Sequence, residues 1–321
     1  MSAKRNLSAA VVAIAAVAAD KSVGRDVRQV ARGWRWSHRP LPPRSAEPHH
    51  SFPEFKEFPT DWARSRAAVA ARQAILRAGL SPLVRAETTL KVAGLDVLDD
   101  IDGPVIFVAN HSSHLDTALL LTTLPPRWQR QVTVGAAADY FFDAWWRAVG
   151  SALVFSTFPI ERGGVGLSET PTRLLADGWS LVMFPEGTRS PDGWTRRFRL
   201  GAAYLAAAAN VPVVPVGLVG SYAAMPRGRG WPKPGRPEVH VRYGRPLRLQ
   251  EGEEPRAFGA RINTAVATLL DEDRSDWYAA ALRAASGQTP PSSGPDVARW
   301  RRVWESTASP TTKHKGPKAW R

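Results

Sequence analysis

The sequence predicts an α/β domain, a mostly parallel central sheet flanked by helices, preceded by an N-terminal basic amphipathic helical region. Three observations carry that expectation. Short apolar runs alternate with helical stretches from residue 91 to about 272. Polar or proline-rich segments follow several of those runs directly, where the carboxyl ends of parallel strands would lie. The chain has 321 residues, 44% of them apolar, enough to bury a sizeable core.

Residues 1–60 read as a leader and a proline-rich linker. The run "LSAAVVAIAAVAA" (7–19) follows Lys4 and Arg5 and is 13 residues long, too short and too rich in alanine to span a bilayer. Ala16, Val17 and Ala18 imitate a cleavage site, so a signal peptide and an amphiphilic leader both fit. Residues 35–60 are dense in proline, which cannot donate to a helix or sheet ladder, and read as an extended linker.

Residues 61–90 read as a basic amphipathic helix facing a membrane. Asp61 is the candidate N-cap, and Trp62, Val69, Leu76, Leu80 and Leu83 recur at helical spacing among Arg64, Arg66, Arg72 and Arg77. Such a helix lies on an anionic membrane, or packs its stripe on the domain behind it, and the two are compatible. The domain proper is expected over 91–275. Its candidate strands are 92–94, 104–109, 131–135, 153–160, 180–184, 213–218 and 238–243; its candidate helices are 115–124, 139–150, 167–177, 199–209 and 255–272. The aromatic stretch "YFFDAWWRAVG" (140–150) suits either a lipid surface or a core. Residues 276–321 read as a flexible basic tail.

The formal charge of +14, from 43 Lys and Arg against 29 Asp and Glu, favours an anionic partner such as a phospholipid surface, a phosphorylated substrate or nucleic acid. Much of it sits in the first 90 and last 25 residues, outside the candidate site. The absence of cysteine excludes thiol nucleophiles, thiolate metal sites and disulfides. No P-loop, dinucleotide fingerprint or H-E-x-x-H zinc helix occurs. The basic loop "MPRGRGWPKPGRP" (225–237) has no nucleic-acid fold signature around it and equally suits lipid phosphates.

Four segments concentrate the chemistry: "NHSSHLD" (110–116), "FPIERGG" (158–164), "FPEGTRS" (184–190) and "VPVVPVGLVG" (211–220). In the first, His111 stands at the mouth of a helix and Asp116 lies just over one turn on. A carboxylate there can fix the imidazole tautomer and stabilise its charge, making a base with its orienter. The same pair can equally cap and brace the helix. Ser112 and Ser113 lack a nucleophile elbow and fit caps, which leaves the nucleophile to a substrate hydroxyl. His114, only two positions from Asp116, points elsewhere. In the third segment Gly187 permits close backbone approach and Arg189 can clamp a phosphate, while Glu186 either binds a hydroxyl or pairs with an arginine to hold the loop. Arg162, followed by two glycines, suits an anion as well. Two arginines beside glycines at adjacent strand ends strengthen that case.

In this order, the four segments resemble the conserved blocks of the glycerolipid acyltransferase superfamily, which includes lysophosphatidate acyltransferases. "NHSSHLD" is similar to its N-H-x-S-x-x-D block, and the resemblance covers about residues 90–250. It implies that His111 is a general base deprotonating an acceptor hydroxyl and that Asp116 orients it. It implies that Arg162 holds the acceptor phosphate, that Glu186, Gly187, Thr188 and Arg189 shape the acceptor site, and that Pro215 lies on the acyl-donor side. The donor would be an acyl-CoA or acyl-carrier-protein thioester used as co-substrate, with no cofactor, no metal and no acyl-enzyme. Expected partners are an anionic membrane surface, a lysophospholipid or related phosphorylated acceptor and, where it is the donor, acyl-carrier protein, with no nucleic acid. Expected placement is peripheral, on the cytoplasmic face of the cell membrane. A thioesterase using water as acceptor and a non-catalytic lipid-binding protein are the rival readings.

Overall fold

The computed structural model describes residues 60–137, 145–160 and 169–307. The leader and linker, Arg162 with its glycines, residues 140–144 of the aromatic stretch and the chain beyond 307 lie outside the described residues. Seven strands form one sheet: β1 (Thr89–Ala93), β2 (Ile106–Ala109), β3 (Val132–Ala137), β4 (Thr157–Ile160), β5 (Ser180–Met183), β6 (Val213–Val219) and β7 (Glu238–Tyr243). Their order is β1-β7-β6-β2-β5-β3-β4, and every pairing is parallel except β6 with β7. The expected sheet is therefore present, with β1 and β7 running against the other five.

Helices cover both faces, and β2 shows why. Val105, Phe107 and Ala109 point to one side, Ile106 and Val108 to the other, and all five are fully buried. A strand buried on both faces reads as an unbroken apolar run rather than an alternation. The first side receives α1 (Arg66–Ile75), a π-helical turn (Leu76–Leu80), α2 (Ser81–Glu87), α3 (Leu115–Thr123) and α4 (Pro126–Arg130). The second receives α6 (Glu169–Ala176), α7 (Gly201–Ala209) and α9 (Pro255–Arg274), which follow α5 (Trp145–Phe155) in the chain, with the four-residue α8 (Ser221–Ala224) between α7 and α9.

Several expectations change. The run 153–160 is not one strand: Leu153–Phe155 end α5, Ser156 turns the chain at φ 54°, and β4 starts at Thr157. An apolar run cannot by itself report where a helix hands over to a strand. Strands β4 and β5, whose ends precede Arg162 and Arg189, are not neighbours, because β3 lies between them. Asp61 begins a single 3-10 turn and pairs with Arg64; the cap of α1 is Ser65, whose Oγ accepts the Ala68 N–H at 3.3 Å.

The expected stripe is divided: Leu76 and Leu80, with Val84, are buried against the sheet, Val69 and Leu83 are half-buried, and Trp62 is exposed. Arg72 is buried as well. Its guanidinium donates to Leu153 O at 2.9 Å, Ala152 O at 3.2 Å and Ala63 O at 2.5 Å. The first two are orphan carbonyls in the last turn of α5, where a cation is favoured. Burial, with Arg64 nearby, lowers the Arg72 pKa to about 10, still charged at neutral pH. Arg66, Arg77 and Arg85 remain exposed.

The segment from 276, expected as a flexible tail, carries α10 (Trp277–Ala285) and α11 (Arg299–Thr307). The first is capped by Asp276, which accepts the Ala279 N–H at 2.8 Å; the second is tied to the domain by Arg302, paired with Asp192 at 2.6 Å. Local composition suggested disorder, but α11 is held by Asp192, 110 residues before Arg302.

Candidate active site

Parallel register assembles the site. Strands β5, β2 and β6 share one rung, Met183 beside Val108 beside Pro215. Three residues past that rung stand Glu186, His111 and Leu218. The chain leaving β2 is pinned on both sides at this level. Asn110 exchanges two bonds with Leu218, donating to its carbonyl at 2.9 Å and accepting from its N–H at 2.8 Å. On the other side the His111 N–H donates to Glu186 Oε1 at 2.6 Å.

Asp116 is fully buried on the first turn of α3, and its Oδ2 collects three donors. The Ser112 and Ser113 amides donate at 2.7 and 2.8 Å, and His111 Nδ1 lies at 2.9 Å. An oxygen already accepting two backbone N–H bonds is an acceptor, so Nδ1 carries the hydrogen and Nε2 keeps its lone pair. Nε2 has no hydrogen-bond partner among the described residues. The imidazole stacks on Phe184, centroids 4.2 Å apart and planes 23° from parallel, which fixes the ring without using a polar atom. The histidine is thus a tautomer-defined base with its reactive nitrogen unengaged.

The serines serve the scaffold. Ser112 Oγ meets Ser221 Oγ at 3.0 Å, and Ser113 Oγ donates to Met225 O at 2.7 Å while accepting the Leu115 N–H at 3.1 Å. Both face the loop after β6, and neither reaches the imidazole. His114 is exposed, away from the pair.

Glu186 holds its loop, as one of the two expectations had it, but through backbone amides and not through an arginine side chain. Its Oε1 holds the His111 amide and its Oε2 the Arg196 amide at 2.7 Å, so it staples two loops through their backbones. Burial pushes its carboxyl up to about 8, against the pull of those two amides. Gly187 follows at φ 71°, a left-handed turn closed by its N–H to Phe184 O at 3.0 Å. A Cβ there would stand 3.2 Å from the Arg199 guanidinium. Thr188 and Arg189 are half-buried on the same loop, and Ser190 returns an N–H to His111 O at 2.8 Å. Pro215 is buried inside β6, its carbonyl accepting the Gly244 N–H at 2.9 Å. His111, Asp116, Glu186, Gly187 and the 188–190 loop are therefore brought together; Pro215 supports them from within the sheet.

Beside Glu186 opens a cavity of about 420 Å³ lined by Glu186, Arg196, Arg197, Phe198, Arg199 and Leu200. Sequence reasoning passed over these arginines. The available signal was the run "TRRFR" only a few residues after "FPEGTRS". Among the described residues no group of three His, Asp or Glu is placed to hold a metal ion.

A strand-end His–Asp pair thus stands beside an arginine-lined cavity on a largely parallel α/β sheet. Residues 89–219 match the family model described as Acyltransferase. A chloroplastic 1-acyl-sn-glycerol-3-phosphate acyltransferase of Brassica napus is 32% identical over 142 residues, 43% of this chain and 39% of that protein. The alpha form of that enzyme in Mus musculus is 32% identical over 149 residues, 43% of this chain and 48% of that protein. The chain thus spans about two fifths to one half of the length of these relatives. The crystal structure of a 1-acyl-sn-glycerophosphate acyltransferase from Thermotoga maritima shares the fold, with a TM-score of 0.52 and 22% identity over 67% of this chain and 88% of that one.

Proposed function

We propose that the protein transfers a fatty acyl group from an acyl-CoA or acyl-carrier-protein thioester to a hydroxyl of a phosphorylated glycerolipid, lysophosphatidate or a close analogue. The observation that carries this reading is the His111–Asp116 pair at 2.9 Å, with the hydrogen placed on Nδ1 and Nε2 unengaged. The acceptor hydroxyl gives its proton to Nε2 as its oxygen attacks the thioester carbonyl. The tetrahedral intermediate then collapses, and the departing thiolate takes that proton back from the imidazolium. Asp116 stabilises the transient positive charge without itself taking a proton. A positioned base supplies about 10²–10⁴-fold, so alignment and stabilisation of the oxyanion carry the remainder.

The acceptor's phosphate would lie in the cavity of Arg196, Arg197 and Arg199, with Arg189 on the loop after Gly187 as a further candidate ligand. Similarity to enzymes named for 1-acyl-sn-glycerol-3-phosphate supports that acceptor class. The enzyme would work as a peripheral protein on the cytoplasmic face of the membrane. Among the described residues no helix is long and apolar enough to cross a bilayer.

The test is an acceptor panel with labelled acyl-CoA and acyl-carrier protein, comparing wild type with His111→Ala. His111-dependent esterification of a lysophospholipid supports the proposal. Release of free fatty acid at equal rate with or without acceptor would identify a thioesterase and overturn it.

A further inference from the structure

Large apolar side chains are unevenly exposed. Trp277, Tyr278, Leu282, Trp300 and Trp304 are 60–73% exposed, while no other in the described residues exceeds 45%. All five lie on α10 and α11, beyond the segment that matches the family model.

Helix α11 is docked the opposite way round from an ordinary surface helix. Its polar side faces the protein. Arg302 donates to Asp192 Oδ2 at 2.6 Å, to Pro295 O at 2.6 Å and to Ser293 O at 2.8 Å, and Ser306 Oγ donates to Asp192 O at 2.7 Å. Arg302 and Ser306 are one turn apart and form a single stripe. Trp300 and Trp304 form a second stripe at the same spacing, turned to solvent, with Arg299 and Arg301 exposed beside them. The docking point adjoins the candidate site: Ser190 bonds Asp192 Oδ1 through Oγ at 3.1 Å and His111 O through its N–H at 2.8 Å.

Charge decides what covers the indoles. From Arg299 to Arg321 the chain holds seven Lys and Arg and one acid, Glu305. The same helix on a second copy would be repelled, whereas an anionic bilayer is attracted. Indole rings favour the headgroup layer, and guanidinium groups meet lipid phosphates there.

We propose that α11 is a membrane-docking helix, seating Trp300 and Trp304 in the headgroup layer of an anionic bilayer and turning the mouth of the candidate site toward lipid. The purpose assigned to that docking rests on the proposed lipid acceptor; the docking itself is measured separately.

The experiment is sedimentation of the full chain with phosphatidylcholine vesicles, with and without phosphatidylglycerol. The double variant Trp300→Ser/Trp304→Ser is expected to bind anionic vesicles at least about tenfold more weakly, with thermal midpoint unchanged because both indoles are outside the packing. Arg299→Glu/Arg301→Glu is expected to erase the preference for anionic over neutral vesicles and its sensitivity to salt. Unchanged vesicle binding in the tryptophan variant overturns the proposal, as does a concentration-dependent dimer that the same variant abolishes. If wild type transfers no acyl group while its vesicle binding still depends on the two tryptophans, the docking inference stands and the proposed function falls.

Discussion

His111 and His240 each set Nδ1 against an aspartate, yet the two rings are left in opposite states. His240 bonds Asp273 through Nδ1 and Glu238 through Nε2, the latter at 2.8 Å, so both nitrogens are engaged. Asp273 also accepts from Arg242 Nε at 3.1 Å, and Arg242 reaches Glu272 at 2.7 Å. The Asp273 bond leads in raising the His240 pKa, and with Glu238 it outweighs burial, so the cationic form of the ring is favoured. His111 has one carboxylate partner, saturated by backbone amides, and its other nitrogen has none among the described residues. A His–Asp pair can serve as a base when the second nitrogen is unengaged; with acids on both nitrogens the cationic form is stabilised and neither nitrogen is open to a substrate.

Exchanging the two histidines separately gives the largest expected contrast. His111→Ala should lower acyl transfer by about 10²–10⁴-fold in kcat with little change in folding, and His240→Ala should leave kcat within about twofold. Equal losses in both variants, read in one steady-state assay, would remove the distinction.

Asp116→Asn sharpens the same point. The amide oxygen can take the place of Oδ2 and still accept from Ser112, Ser113 and Nδ1, but the negative charge that stabilises the imidazolium is gone, and the NH₂ group replaces Oδ1, a buried atom with no partner among the described residues. A kcat loss of about 10²-fold or more is expected at unchanged acceptor KM. A loss confined to KM would instead make Asp116 a binding residue.

Glu186→Gln probes the staple between the His111 and Arg196 loops. The variant has only one acceptor oxygen for two amides, a cost of about 1–3 kcal/mol for the one left orphaned. Its pH dependence carries a definite sign. Wild-type Glu186 holds its proton more tightly folded, with pKa about 8, than the ordinary 4.5, so its contribution to stability falls as pH rises between those values. Urea midpoints should therefore decline less from pH 5 to pH 8.5 in the variant; identical slopes would show that Glu186 is not the titrating group.

The smallest effect belongs to the His240 network. The His240 pKa is raised above 6.5, so the stabilisation it adds is complete below 6.5 and is lost as pH climbs through the raised value. His240→Gln should flatten that alkaline decline, by about 1 kcal/mol or less for a partly exposed pair. Thermal midpoints across pH 6 to 9 measure it.

Much of this site was legible because its chemistry is local. Asn110 to Asp116 occupy seven consecutive residues, and the distance from His111 to Asp116 follows from the geometry of one helix start. "FPEGTRS" is compact in the same way. What escaped depends on partners far away in the chain. Asn110 reads as one more polar residue until register sets it against Leu218, 108 positions on. Glu186 reads as an oddity in an anion site until two backbone amides meet it. Arg72 reads as one of four surface arginines, and only the end of α5 makes it a buried cap.

The order of strand and helix, the polar junction after β2 and the His–Asp spacing are set by periodicity and by a few adjacent side chains, so the sequence alone determined them. Strand neighbours, and hence which loops meet, were decided by tertiary structure: β3 separates the ends carrying Arg162 and Arg189, while β5, β2 and β6 align Glu186, His111 and Leu218 on one level. Helix faces followed the same rule. The amphipathic stretch before the domain turned Leu76, Leu80 and Val84 to the core, whereas α11, bound by Arg302 and Ser306 to Asp192, turned its tryptophans to solvent. Periodicity shows that a helix has two faces; only its contacts select which one is buried.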